Sequence, residues 1–211
     1  MKLRNSTIVY ALIALVLAGG CKKTEYPSRD TSGLHPDPPV VIDPDDAKPF
    51  VLFDSCDKLD GLWDVALGTG SLETQGKKEG TGYIKSRITP GQDFMQYQRR
   101  NVPPVDTKVT PENGQFMFWF YIQDASQLKE GQIQISSAND PDKSRYGWDI
   151  MKVGPLVNGW NRLKLNISDA YSSDGGANLA AMNYFRVFFN TKEKVSADFV
   201  TGIDGLKFVQ K

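Results

Sequence analysis

The sequence predicts an all-β fold, and three of its features do so. Beyond Pro49 the apolar residues come in short runs rich in Phe, Val, Ile, Trp and Tyr. Clusters of Gly, Asn, Asp and Pro separate these runs at intervals of about ten residues, the spacing of a sandwich or a barrel. Several runs also alternate apolar with polar residues, the period of a strand that buries one face.

Taken in order, the runs place strands at Phe50–Asp54, Leu62–Leu67, Gly82–Ile88, Phe94–Arg100, Gly114–Gln123, Gln132–Ser136, Gly147–Val153, Trp160–Asn166, Asn183–Asn190 and Ile203–Val209. A helical turn is expected only near Asn178–Met182, and no internal repeat is visible. In the run ending at Gln123, Phe116, Phe118, Phe120 and Ile122 share a parity and form a core set. Gln115, Met117, Trp119, Tyr121 and Gln123 point the other way. By the same reasoning Phe185, Val187 and Phe189 are core, with Tyr184, Arg186, Phe188 and Asn190 opposite. Ile133 and Ile135 are core, with Gln132, Gln134 and Ser136 opposite. The expectation is a second face that mixes aromatic rings with amides and a guanidinium.

Ahead of this domain, Met1–Gly20 carries Lys2 and Arg4, an apolar run from Ile8 to Ala18, and Gly19-Gly20 before Cys21. Charged, apolar and small segments in that order make a secretory signal, and the apolar run is well short of the roughly twenty residues that span a bilayer. Leu17-Ala18-Gly19-Gly20-Cys21 resembles the bacterial lipobox, with Ala18 where Leu is usual, a looser form common in the Bacteroidota lineage. The resemblance implies cleavage before Cys21 and a lipid on its thiol. The chain would then sit on the outer side of a cell membrane, in the envelope, at the periplasmic or surface face of the outer membrane. An ordinary signal followed by a chance cysteine is the alternative. Residues 21–48, with Pro27, Pro36, Pro38, Pro39 and Pro44 and almost no large apolar side chains, read as a semi-rigid tether that cannot bury enough to fold. The domain is then 49–211.

Composition removes several functions. Lys plus Arg and Asp plus Glu both number 25, and losing Lys2 and Arg4 leaves the mature chain slightly acidic. A nucleic-acid partner needs a basic surface and is set aside. The one histidine, His35, lies in the tether, which excludes a Ser-His-Asp triad, a Cys-His pair or a histidine zinc site on the domain. With Cys21 lipidated, Cys56 has no disulfide partner and reads as a partly buried small apolar residue. Glycoside hydrolysis needs only two carboxylates, but Glu73, Glu79, Glu112, Glu130 and Glu193 all fall in or beside expected turns.

Binding a glycan needs less: flat rings to stack on sugar faces, ringed by amide, Arg and Asp groups for the hydroxyls. Trp119 and Tyr121 supply the rings, with Gln98, Arg100, Gln134, Tyr184 and Arg186 as polar neighbours and Trp148 and Tyr146 nearby. Trp160, opening a strand after the Asn158-Gly159 turn, reads as structural. The alternative is that this face is covered by a loop or by the other sheet.

Leu52-Phe53-Asp54, Asp60-Gly61-Leu62-Trp63, Glu79-Gly80-Thr81-Gly82-Tyr83, Gly159-Trp160-Asn161-Arg162-Leu163, Asn183-Tyr184-Phe185-Arg186-Val187 and Gly202-Ile203-Asp204-Gly205-Leu206 follow one another in an order that resembles the galactose-binding-like, jelly-roll carbohydrate-binding modules. The resemblance covers most of 49–211 and implies a two-sheet jelly-roll β-sandwich. It also implies a structural calcium ion (Ca2+) held by oxygen ligands between the first and last strands, the matching positions being Asp54 and Asp204. The expected protein is thus a membrane-anchored lipoprotein that binds a polysaccharide or oligosaccharide without altering it, alongside other envelope proteins of glycan utilisation. A protein-interaction or structural lipoprotein and a polysaccharide lyase or hydrolase remain the alternatives.

Overall fold

The computed structural model describes residues 44–211. The expected signal peptide 1–20, the lipidation site Cys21 and the tether up to residue 43 lie outside the described residues. The last tether residues, Pro44–Ala47, form one 3-10 turn leading into the first strand.

The domain is a jelly-roll β-sandwich of two six-stranded sheets, and among the described residues there is no α-helix. The first sheet holds β1 (Phe50–Asp54), β3 (Ser71–Glu73), β4 (Tyr83–Ile88), β6 (Gly114–Ile122), β9 (Gly159–Asn166) and β12 (Phe199–Gln210). The second holds β2 (Trp63–Val65), β5 (Phe94–Arg99), β7 (Leu128–Ser136), β8 (Arg145–Asp149), β10 (Tyr171–Ser173) and β11 (Tyr184–Thr191). All pairings are antiparallel; the second sheet runs β10-β8-β7-β11-β5-β2.

The apolar parities meet between the sheets. Phe116, Phe118 and Phe120 of β6 interleave with Phe185 and Phe189 of β11, ring centroids 5.5–5.9 Å apart, and all five are buried. Each such ring taken from water contributes about 1.5–3 kcal/mol. The polar group of Tyr97, also buried, is satisfied by a 2.8 Å bond between its hydroxyl and that of Thr201. Cys56, expected to be partly buried, is fully buried, and burial, with Asp54 and Asp204 nearby, pushes its thiol up.

Strand β12 organises the first sheet. One side pairs with β6; the other pairs with β4 along Phe199–Ile203 and with β1 along Leu206–Val209. At the changeover the register against β6 slips between Asp204 and Lys207, and Gly205 has φ +58°, a bulge that favours glycine. A Cβ there would also stand 2.8 Å from the Glu79 carboxyl group. Asp204 therefore lies inside a long central strand.

Three local expectations are corrected. Asn178–Met182 is a turn and not helical, because Met182 exchanges both backbone hydrogen bonds with Val105 (2.8 and 2.9 Å). The run expected at Gly147–Val153 is β8 at Arg145–Asp149, since the Asp149 carboxylate accepts the Met151 N–H (2.9 Å) and turns the chain. Glu130 lies within β7, not in a turn, whereas Glu73 ends β3 beside a bend, as expected.

Candidate functional site

The polar parity of the second sheet builds a face on the side away from the core, with Gln134 itself fully buried beneath its neighbours. Cross-strand register aligns Asp64, Gln98, Arg186, Gln134, Gly147 and Tyr171 in one row across all six strands. The next row is Gln96, Phe188, Gln132 and Asp149. Bonds run along and between the rows: Arg186 Nε donates to Gln134 Oε1 (2.8 Å), Gln134 Nε2 to Gln132 Oε1 (2.8 Å), and the Tyr171 hydroxyl to the same Gln132 oxygen (2.7 Å). Gln96 Nε2 donates to Gln98 Oε1 (3.2 Å).

Rings frame these amides. The Arg186 guanidinium lies 4.7 Å from the Phe188 ring centroid, and Phe188 packs with the exposed Phe94 at 6.3 Å. At the other end Tyr171 lies over Gly147, where any Cβ would collide with the ring, and the Arg145 guanidinium stands 5.5 Å from that ring. The glycine lets the ring lie against the sheet, the positional meaning of a strand glycine. A cleft of about 350 Å³ continues from Tyr171 and Asp149 over the sheet edge towards Lys152 and Asn166.

This arrangement brings Gln98, Gln134 and Arg186 together as expected, but not with Trp119 and Tyr121. Those two belong to β6 of the first sheet, and their side chains leave the sandwich on its opposite side. Parity gave the three strands to which it was applied, β6, β7 and β11, their inward and outward sides; it carries no information on which sheet a strand joins. Trp119 is engaged by its own surroundings: its Nε1–H donates to Glu79 Oε1 (3.1 Å), and Lys78 and Arg162 stand 5.3 and 5.6 Å from the ring. Trp148 is a core residue, paired opposite Ile133, with its indole N–H donating to the Asn166 carbonyl (2.9 Å). Tyr146 has the same inward parity, opposite Ile135. Tyr184 has the outward parity but is fully buried, and burial pushes its hydroxyl up to about 12. Arg100 follows β5 and pairs with Asp64 at the margin (3.3 Å). Tyr171, Phe188, Gln132 and Gln96 are the residues missed. Gln132 and Phe188 were visible in the alternation, whereas β10 is too short to show a period.

The two positions implied for calcium are engaged by different partners. Both oxygens of Asp54 are engaged, Oδ1 by the Cys56 N–H (2.7 Å) and Oδ2 by Arg99 Nε (2.7 Å). Burial raises the Asp54 carboxyl group above its usual range, against the lowering by the Cys56 amide and Arg99. Asp204, fully buried, accepts the N–H groups of Lys78 (2.7 Å) and Glu79 (2.9 Å) through Oδ2, while Oδ1 has no hydrogen-bond partner. Its pKa is pushed up to about 6, by burial first and then by Glu79 and Asp57, against those two amides. Lys207 Nζ takes Glu79 Oε1 at 2.7 Å. Among the described residues no group of three or more His, Cys, Asp or Glu side chains is placed to hold a metal ion.

No protein-family model matches this chain, and no curated protein does. Solved structures do match. A family 30 carbohydrate-binding module superposes with a TM-score of 0.54 at 12% identity, over 77% of this chain and 99% of its own. The family 30 module of a cellulosomal cellulase of Clostridium thermocellum gives 0.50 at 12% identity, over 78% and 94%. An exo-beta-agarase gives 0.50 at 12% identity, over 77% of this chain and 25% of the agarase. At these identities the likeness is one of fold, the jelly-roll β-sandwich.

Proposed function

We propose that this chain is a lipid-anchored envelope protein that binds a glycan, without altering it, on the outer face of the second sheet. The observation that carries this is the row from Gln98 through Arg186 and Gln134 to Tyr171, pre-bonded and bordered by the Phe188 and Tyr171 rings. Sugar rings present apolar C–H faces and a rim of hydroxyls; stacked rings and mixed donors and acceptors match both. Bonds already made between Arg186, Gln134 and Gln132 hold the donors in place, which lowers the ordering cost of binding.

The centre of the face holds amides and a guanidinium, with carboxylates at its margins, Asp64, Asp149 and Glu130. That supports binding over hydrolysis, which needs two carboxyl groups flanking one bond. The fold shared with family 30 carbohydrate-binding modules supports the same reading. Anchoring rests on Leu17–Cys21; no helix among the described residues is long and apolar enough to cross a membrane. A lipidated module of this kind holds polysaccharide near separate envelope enzymes and transporters.

A glycan array probed with the full chain, in a detergent lacking a sugar headgroup, tests the binding. Signal that falls in an Arg186→Ala, Tyr171→Ala variant of unchanged thermal stability is expected. An array blank for the wild type moves the reading to a protein-docking lipoprotein. Mass spectrometry of the N-terminal peptide tests the anchor, with a diacylglyceryl adduct on Cys21 expected.

A further inference from the structure

The first sheet carries a second aromatic surface, on the opposite side of the sandwich. Register aligns Ser71, Lys85, Gly202, Tyr121 and Trp160 in one row across β3, β4, β12, β6 and β9. Tyr83 and Trp160 stand on strands separated by two others, yet their ring centroids are 5.1 Å apart, and Trp160 to Tyr121 is 5.5 Å. The rings reach each other because Gly202 leaves the middle of the row empty: a Cβ there would stand 3.0 Å from the Tyr83 ring and 3.4 Å from the Tyr121 Cβ. All three rings are half-buried, so each keeps an open side.

This patch lines a cleft of about 500 Å³ together with Lys85, Gln123 and Asp198. A neighbouring cleft of about 260 Å³ shares Lys85, Asp198 and Val200 with it and continues to Thr69 and Ser71. The two form one trough across the sheet, aromatic at the β9 end and polar at the β3 end. Its charges are balanced in place, Lys85 with Glu73 (3.6 Å) and Arg87 with Asp198 (3.3 Å). A ligand matched to it has apolar faces, many hydroxyls and no net charge.

We infer that this trough is a second glycan site, taking a neutral, extended oligosaccharide, so that one chain holds two glycan segments on opposite faces. The Trp160 and Tyr83 rings supply the stacking, and Lys85, Gln123 and Asp198 face the hydroxyls. An acidic glycan gains no unpaired cation here. The inference shares with the proposed function only the class of ligand; the residues are separate.

The test is calorimetric titration of the full chain, in a detergent lacking a sugar headgroup, with gluco-, xylo- and mannohexaose. Hydroxyl-radical footprinting of the wild type runs beside it. The expected result with the hexaose that binds is two molecules per chain, falling to one in a Tyr83→Ala, Trp160→Ala variant and to one in Arg186→Ala, Tyr171→Ala. Trp160 and Tyr83 in the wild type should be protected from oxidation by the hexaose, a readout that needs no variant to fold. One molecule per chain with Trp160 unprotected, lost only in the Arg186→Ala, Tyr171→Ala variant, overturns the second site and leaves the first standing. One molecule per chain with Trp160 protected, unaffected by that variant, supports the trough and overturns the first site. No binding of any neutral hexaose overturns the inference.

Discussion

Nε of Arg186 donates to Oε1 of Gln134 at 2.8 Å across the seam between β11 and β7, placing a cation between the amides of Gln98 and Gln134. The guanidinium is half-buried and rests against Phe188. Truncation at Arg186 removes a charge-assisted donor set, worth about 1.5–3 kcal/mol where it meets a ligand. Arg186→Ala should therefore weaken glycan binding by roughly tenfold to a hundredfold. Calorimetry would check this against a melting temperature measured on the same sample.

Gly147 is the floor under Tyr171, and the two are paired across β8 and β10. Gly147→Ala pushes a methyl group into the ring. Tyr171 is exposed and on an edge strand, so it should swing away at little cost to stability. Binding should fall with the melting temperature nearly unchanged; a large loss of stability with intact affinity would contradict this placement.

Trp148 makes the opposite prediction. Its ring is in the core and its N–H is satisfied by Asn166, so Trp148→Ala should cost about 3–5 kcal/mol in a urea titration. The fraction that remains folded should bind glycan with unchanged affinity.

Arg99 of the second sheet is bonded to Asp54 at the end of β1 in the first, and to Asp60 in the loop between β1 and β2. The Arg99 and Asp54 side chains are only 10% and 12% exposed. Removing the cation leaves a largely buried carboxylate unpaired, so Arg99→Ala should destabilise the domain by about 3–5 kcal/mol. Denaturant midpoints at fixed pH would measure it.

Asp204 sets a pH dependence whose sign follows from its raised pKa, about 6 in the fold against the ordinary aspartate value of 3.8. Between these values the folded chain binds more protons than the unfolded one, so stability from this group falls as pH rises from about 4 to about 6 and is flat above. The scale is on the order of 2–3 kcal/mol. Asp204→Asn should flatten that segment of the stability profile and raise stability at pH 8. If Asp204 instead served a calcium ion, added calcium would stabilise the wild type at pH 8 and Asn would abolish the gain.

Much of the sandwich was legible in the alternation. Phe116, Phe118, Phe120, Phe185 and Phe189 are core as their parity required, and Phe50–Asp54 was delimited at the residue. Of the three strands of three residues, β2 lay within an expected run, but β3 and β10 show no period, and Tyr171 went unseen with β10. The site was half legible. Gln98, Gln134 and Arg186 were grouped correctly because their runs share a composition, but Trp119 and Tyr121 share it too and stand on the other sheet. Trp160 read as a structural residue opening a strand and is the second residue of β9; that Tyr83 reaches it over Gly202 is a tertiary fact.

The central claim, a glycan on the face of Arg186 and Tyr171, is tested most directly by titrating the oligosaccharide found on the array into three proteins. These are the wild type, Arg186→Ala with Tyr171→Ala, and Trp119→Ala. The account predicts a site lost in the double variant and fully kept in Trp119→Ala. Undiminished binding by the folded double variant would contradict it.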